Sequence, residues 1–504
     1  MKSQQIVKGG VLAAGVTGTT VLVNLLLTPF LIRTLGAEAY GVWALVLSIS
    51  VAQGILGFLD LGILSSVVKL VAQYRAQENI RALNGIVSAA LFLFLFISSA
   101  IAILLVFARG RLVEDLFRIP NELVAIASLL LVMLAIQVVV DAIRMVMTSV
   151  LQGFQEFVLF KSFLLLHTLL YVGALMVLVY FGYGLYGLGI ASLFASVVHA
   201  GCAILAARHF LEGWRLWALP ALPDVRGLVK LSSIILFIRI QGAIFRGMDR
   251  ILLGVFTSAV VVTQYDIMAK LAGLGVMCIT IVSGLVFAPA SESKANDNLS
   301  GLRSLCLNST KYSLILCLPV LLVLFLFAEE ILSLWVGDEY RIIANLVRLF
   351  LFHILFVAII ASGQNILIGA DHSREVAIIS IITTALNLAI SLLLIGPYGM
   401  LGVILGTVIS FSVASVLYWR EFARIFSLKL RDLWSAIVRP LGPPLAGAYM
   451  THWLLGLLGG GHQNLHFAIT SMGILLVYGI LTLWLTLSAS EIKQLRVAFS
   501  FRKA

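Results

Sequence analysis

Apolar residues fall along this chain in blocks of about 20, and at about 1.5 Å of rise per residue each block can cross a hydrocarbon layer about 30 Å thick. The first half offers blocks at 11–31, 40–67, 85–107, 123–151, 162–181 and 185–206. The second offers 231–256, 261–287, 312–336, 345–369, 376–395 and 401–418, and a last pair follows at 434–458 and 467–487. Blocks this long and this uniformly apolar have no polar face to turn to water, so they predict membrane helices rather than the amphipathic helices or alternating strands of a soluble fold. The expected fold is an all-α polytopic membrane protein of about 14 transmembrane helices.

The longest polar connection, 208–230, carries Pro220 and Pro223, which break any helix running through it. It divides the chain into an N-terminal six-helix lobe at 1–207, a cytoplasmic linker at 208–230 and a C-terminal six-helix lobe at 231–420, with an extra helix pair and tail at 421–504. Two correspondences point to a repeat. Short amphipathic pieces, 111–120 and 329–341, each follow the third block of their half, and Tyr40 at the entry to block two matches Tyr265 at the entry to block eight. The halves therefore read as two pseudo-symmetric lobes related by an axis along the membrane normal, with a cavity between them near the midplane.

Charge sets the orientation. With connections assigned alternately to the two sides, the side shared by the termini collects about 23 Lys and Arg and the other about six, which places both termini in the cytoplasm. Of the 504 residues, 61% are hydrophobic and 11% charged, against about 25% charged in soluble domains. The net charge of +11 is accounted for by this topology, and nucleic acid is not an expected partner. Cys202, Cys278, Cys306 and Cys317 lack any metal or disulfide spacing and read as small core residues. No Walker A, HExxH or GxSxG sequence occurs and no polar region is long enough for a soluble domain, so no resident cofactor is expected.

The chemistry-bearing residues are those placed inside apolar blocks. The stretch 231–274 carries Arg239, Arg246, Asp249, Arg250, Asp266 and Lys270, although each charge at mid-membrane costs about 2.5 to 3.5 kcal/mol on insertion scales. At about 100° per residue Arg239, Arg246 and Arg250 fall within about 40° of one helical face, a basic stripe about 16 Å long. Asp249 can neutralise Arg246 or Arg250 and leaves at least one cation over, so an anion from another helix or a ligand should face the stripe. A guanidinium fork suits phosphate oxygens, which makes an anionic lipid headgroup or pyrophosphate an apt cargo. Elsewhere, Asp141 and Arg144 have the i,i+3 spacing of an ion pair, and Asp266 and Lys270 the i,i+4 spacing of another near the outer mouth. Asp60 has no partner on its own helix. These five residues are candidates for gating or coupling. His167, His199 and His353 are scattered without metal spacing and read as hydrogen-bonded core residues.

Read in order, LGAEAYGVWAL at Leu35 to Leu45, FLDLGILSSVVKLVAQY at Phe58 to Tyr74, MDRILLGVF at Met248 to Phe256, QYDIMAKL after it, FAPASE from Phe287, WVGDEYR from Trp335 and ALNLAISLLLIGPYGMLGVILGT from Ala385 resemble the polysaccharide and O-antigen flippases. These belong to the multidrug, oligosaccharidyl-lipid and polysaccharide exporter superfamily, and the resemblance covers nearly the whole chain. It implies a two-lobed transporter of twelve to fourteen helices in the cell inner membrane. Such a transporter moves an undecaprenyl-pyrophosphate-linked oligosaccharide, an O-antigen or other polysaccharide repeat unit, to the outer leaflet by alternating access. The Asp249-Arg250 pair matches the family's Asp-Arg in the seventh span, implying headgroup binding or gating. Arg239 and Arg246 match in character, as a cationic cavity lining, and Asp60 matches the acidic position of the family's Asp-Leu-Gly stretch. The partners implied are the lipid-linked oligosaccharide, membrane lipids, and polysaccharide polymerase and chain-length regulator proteins. Coupling to H+ or Na+ stays open.

Two other functions remain to be separated from this one. A cation-coupled multidrug exporter of the same superfamily would line its cavity with acidic rather than basic groups. An integral membrane polysaccharide polymerase or ligase would need a sizeable outer loop bearing catalytic residues, and the connections here hold under about 20 residues on that side.

Overall fold

A computed structural model describes residues 2–51, 54–60, 63–211, 213–214, 247–457, 473 and 478, some of them by backbone alone. The described residues are almost entirely helical, without strands. Ten helices among them are long and apolar enough to cross a membrane. They include α1 (Lys2–Leu35), α4 (Ile80–Gly110), α5 (Asn121–Gly153), α6 (Phe157–Tyr180), α7 (Gly184–Phe210) and α9 (Ala259–Ser283). The others are α11 (Leu299–Leu326), α13 (Ala344–Gly369), α14 (Ser373–Tyr398) and α15 (Met400–Phe426). Large apolar side chains project outward from these helices, among them Phe96, Phe107, Leu169 and Leu393. Water would not tolerate that surface, whereas acyl chains satisfy it.

Block two is not one helix. The chain forms α2 (Ala37–Ile49), a short 3₁₀ turn (Ile55–Asp60) and α3 (Ile63–Ala76). Gly54 and Gly57 lie at this break, where a residue without Cβ resists continuous helix. Asp60 therefore ends a 3₁₀ turn between two helices instead of lying on a continuous span. Block nine is also divided, into α11 and the short α12 (Ala328–Trp335). Block seven is described only from residue 247, where α8 runs over 247–256. The proline-bearing linker beyond Trp214 and block fourteen, apart from residues 473 and 478, lie outside the described residues. Block thirteen is represented by α17 (Arg439–Leu457), preceded by the short α16 (Leu430–Leu433).

The helices form two compact units, Met1–Ile267 with Ile395–Met400, and Met268–Leu394 with Leu401–Ala504. In the first, α5 packs against α4 and α7, and α7 against α6. Small side chains permit these approaches: Ala89, Ala90, Ala142, Ala203 and Ala207 are buried beside Val146 and Met147 in one core cluster, as expected where helices pack in lipid. Trp214 donates its indole N–H to the Ser88 hydroxyl at 3.0 Å, closing the end of that core. In the second unit α11 packs on α13, and α10 (Phe287–Ala295) on both. Ser313 and Ser362 meet across α11 and α13 at 3.1 Å, and Asn387 donates to Thr407 across α14 and α15 at 3.1 Å. Several polar side chains that cross no helix boundary return to their own backbone. Thr20, Asn24 and Thr28 donate to the carbonyls of Val16, Thr20 and Asn24 along α1, which removes the cost of carrying polar groups into hydrocarbon.

Candidate functional site

The first unit brings α2, α8 and α9 together so closely that only glycine fits at the contacts. A Cβ on Gly41 would lie 1.9 Å from the Ala259 carbonyl oxygen, and one on Gly247 would lie 2.4 Å from that of Ser48. Thr263 donates its hydroxyl to the Ala37 carbonyl at 2.5 Å, fixing the start of α9 against the start of α2.

This approach assembles a buried polar cluster. Arg250 on α8 reaches Asp266 on α9, with Nε and Nη2 at 2.9 and 2.8 Å from the same carboxylate oxygen. The other oxygen of Asp266 accepts the Tyr40 hydroxyl of α2 at 2.6 Å. Asp249, beside Arg250, accepts the hydroxyl of Tyr265 at 2.5 Å. Tyr40, Asp249, Tyr265 and Asp266 are all buried. One carboxylate thus joins three helices, and both carboxylates meet hydroxyl donors. Charge-assisted bonds of this kind are about twice as strong as neutral ones, so the cluster acts as a fastening between α2, α8 and α9.

The sequence places Asp249 against Arg246 or Arg250 on its own helix. The structure gives Asp249 the hydroxyl of Tyr265 and gives Arg250 an anion from the neighbouring helix, while a pairing of Asp249 with Arg246 lies outside the described residues. Pairing within one helix sees only neighbours three or four positions away, and the partner of Arg250 belongs to the next helix. Lys270, one turn beyond Asp266 on α9, is half-buried and belongs to the second unit. Arg239 and Arg246 lie outside the described residues, as does the side chain of Asp60.

Asp141 and Arg144 pair on α5, with Nε at 2.7 Å from the carboxylate, as their i,i+3 spacing predicts. One turn before them, Gln137 bonds Ser192 and Ser196 of α7 at 3.0 and 3.1 Å. The histidines meet expectation in part. His353 meets the Phe350 carbonyl on its own helix, but neither ring nitrogen of buried His199 has a hydrogen-bond partner among the described residues. His167 and His199 are not scattered either: their rings stand 5.5 Å apart across α6 and α7.

The residues that sequence reasoning missed at the site are Tyr40 and Tyr265. The signal was present, since the two occupy matching places at the entries to blocks two and eight. The structure turns both toward carboxylates of one cluster.

Comparison with known proteins bears on this arrangement. The profile of the polysaccharide biosynthesis protein family matches residues 30–345, a range that includes the whole cluster. A Haloferax volcanii protein, provisionally named low-salt glycan biosynthesis flippase Agl15, is 23% identical over 223 residues, 42% of this chain and 45% of its own length. This chain thus spans less than half of that relative. A Shigella flexneri protein, provisionally named O-antigen transporter, is 21% identical over 402 residues, 77% of this chain and 90% of its own. Among solved structures, the lipid II flippase MurJ in its inward closed conformation superposes with a TM-score of 0.73 at 14% identity, covering 93% of this chain and 97% of MurJ. That likeness shows a shared fold. With its family profile matched across more than half its length, this polytopic helical chain belongs to the polysaccharide biosynthesis protein family.

Proposed function

We propose that this protein flips a lipid-linked oligosaccharide, carried on undecaprenyl pyrophosphate, from the inner to the outer leaflet of the cytoplasmic membrane by alternating access, without covalent chemistry. The observation that carries the reading is the family match over residues 30–345 in a chain whose described residues include ten helices of membrane length. A glycan headgroup on pyrophosphate cannot cross hydrocarbon unaided, because each desolvated polar group costs several kcal/mol. A hydrated cavity open to one side at a time removes that barrier while the prenyl chain stays in lipid.

The cargo is anionic, so the cavity needs cations. Arg239 and Arg246 supply them in this reading. Arg250 is engaged by Asp266, and the same guanidinium fork that fits a carboxylate fits a phosphate. A pyrophosphate entering near α8 competes with Asp266 for Arg250, loosening the fastening between α2, α8 and α9 as the cargo is captured. Binding and opening are then one event. Both termini are cytoplasmic, and an H+ or Na+ gradient supplies the driving force.

The test is deletion of the gene followed by identification of the lipid-linked oligosaccharides on the cytoplasmic leaflet. Accumulation of one such species, relieved by the wild-type gene and not by an Arg239→Gln, Arg246→Gln double variant, is the expected result. No accumulation together with altered sensitivity to cationic drugs would overturn it in favour of an exporter.

A further inference from the structure

The unpartnered histidine in the first unit marks a second site. His199 is 1% exposed, and both its ring nitrogens are buried without a hydrogen-bond partner among the described residues. A neutral imidazole always presents one donor and one acceptor, and buried polar groups are otherwise nearly always satisfied. An arrangement that leaves both unmade points to a species that comes and goes. The neighbours narrow its identity. The His167 ring of α6 stands 5.5 Å from His199, and Phe163 closes one side edge-on at 6.2 Å. A resident metal ion would need more ligands, and the described residues contain no group of three or more His, Cys, Asp or Glu placed to hold one.

We propose that His167 and His199 form a proton-binding site in the first unit, and that a proton bound there draws Asp141 away from Arg144. This rests on the transport reading above and names its coupling ion. The charged groups acting on the rings come from α5: Arg144 on both, and Asp141 on His167. The other helices packed on α6 and α7 are α1 and α2, whose Arg33 and Glu38 are exposed. Tyr171 lies one turn along α6 and Cys202 one turn along α7.

The proton comes from water, adds to a ring nitrogen lone pair of the histidine pair, and leaves to water by the reverse step. While bound, it makes an imidazolium that Arg144 repels and Asp141 attracts. The single carboxylate then has two cations to serve, and the 2.7 Å bond from Arg144 is the contact that gives way. Gln137 with Ser192 and Ser196 continues the same α5–α7 seam, a polar lane by which water reaches the pair when the helices part.

Two measurements on the full-length protein decide the matter. The first is ¹⁵N NMR of histidine-labelled wild-type protein in nanodiscs, with His167 and His199 signals assigned by loss in single Asn variants. Joint titration of the two signals between pH 3 and 8 supports the site; signals that stay unchanged across that range overturn it. The second is flipping of a fluorescent undecaprenyl-pyrophosphate oligosaccharide in proteoliposomes with and without a one-unit pH gradient, which can bias accumulation by about tenfold per coupled proton. His199→Asn and His199→Gln should keep flipping down the cargo gradient and lose the pH-driven bias. Retention of the full bias in a folded variant overturns the proposal. A wild-type protein that flips nothing contradicts the transport reading alone, and the NMR titration still judges the proton site.

Discussion

Two buried polar regions of the first unit are built on opposite principles. Around Asp266, hydroxyl and guanidinium donors from α2 and α8 converge on one carboxylate. Around His199, a ring able to donate and accept does neither among the described residues. The first is a structure that resists change, because removing Asp266 or Arg250 takes the ion-pair partner from the other in an apolar interior. The second has little to lose locally, so its cost in the resting fold is recovered only when something binds. The transport cycle proposed above uses both kinds of region: one to hold a conformation, another to sense the event that releases it.

The sharpest way to break this contrast is to compare Asp266→Leu with His199→Leu by thermal unfolding in detergent. Asp266→Leu leaves Arg250 buried without its carboxylate and should destabilise by about 3 to 5 kcal/mol, a large fall in Tm, most of which Arg250→Met in the same chain restores. His199→Leu should leave Tm unchanged or raise it, since it removes an unsatisfied group. Equal losses from the two would erase the distinction.

Tyr40→Phe tests the hydroxyl arm of the cluster. A hydrogen bond to a charged group is worth about 1.5 to 3 kcal/mol, so the loss should be smaller than for Asp266→Leu and smaller still when Asp266 is already replaced. Gly41→Ala probes packing without charge: its Cβ would sit 1.9 Å from the Ala259 carbonyl, so α2 and α9 must separate. The expected cost is about 1 to 3 kcal/mol, and cysteine cross-linking between the ends of α2 and α9 should slow.

How much of this was legible beforehand follows from the range over which each signal acts. Membrane helices announce themselves by composition alone. The Asp141–Arg144 pair was legible for the same reason, since both ends lie on one helix turn. The break in block two was not, because glycines among apolar residues change the average hydropathy little. Nor was the partner of Arg250: Asp266 lies 16 positions on, on the next helix, beyond the reach of pairing within one helix. The His167–His199 contact depends on the register of α6 against α7, which no local pattern encodes. The matched tyrosines were visible as a repeat, and their chemistry emerged only when α2 met α9.

The smallest expected effect lies outside the membrane helices, in the second unit. The Lys429 backbone N–H, and after it the Arg303 guanidinium at 2.7 Å, holds the Asp432 carboxyl below the usual carboxylate range. A carboxyl lowered on folding contributes stability above its unfolded pKa of about 3.9 and loses that contribution as pH falls through the lowered folded value. The Tm difference between wild type and Asp432→Asn should therefore be constant from pH 7 to about 5 and shrink as pH falls below about 4. A difference that grows on acidification would contradict the assignment.

The most direct test of the whole account is a choice of cargo. Purified full-length protein in proteoliposomes should move an undecaprenyl-pyrophosphate-linked oligosaccharide between leaflets and leave an organic cation dye where it is, with Arg239→Gln, Arg246→Gln protein slow on the first. Dye export without movement of the lipid-linked glycan would contradict it.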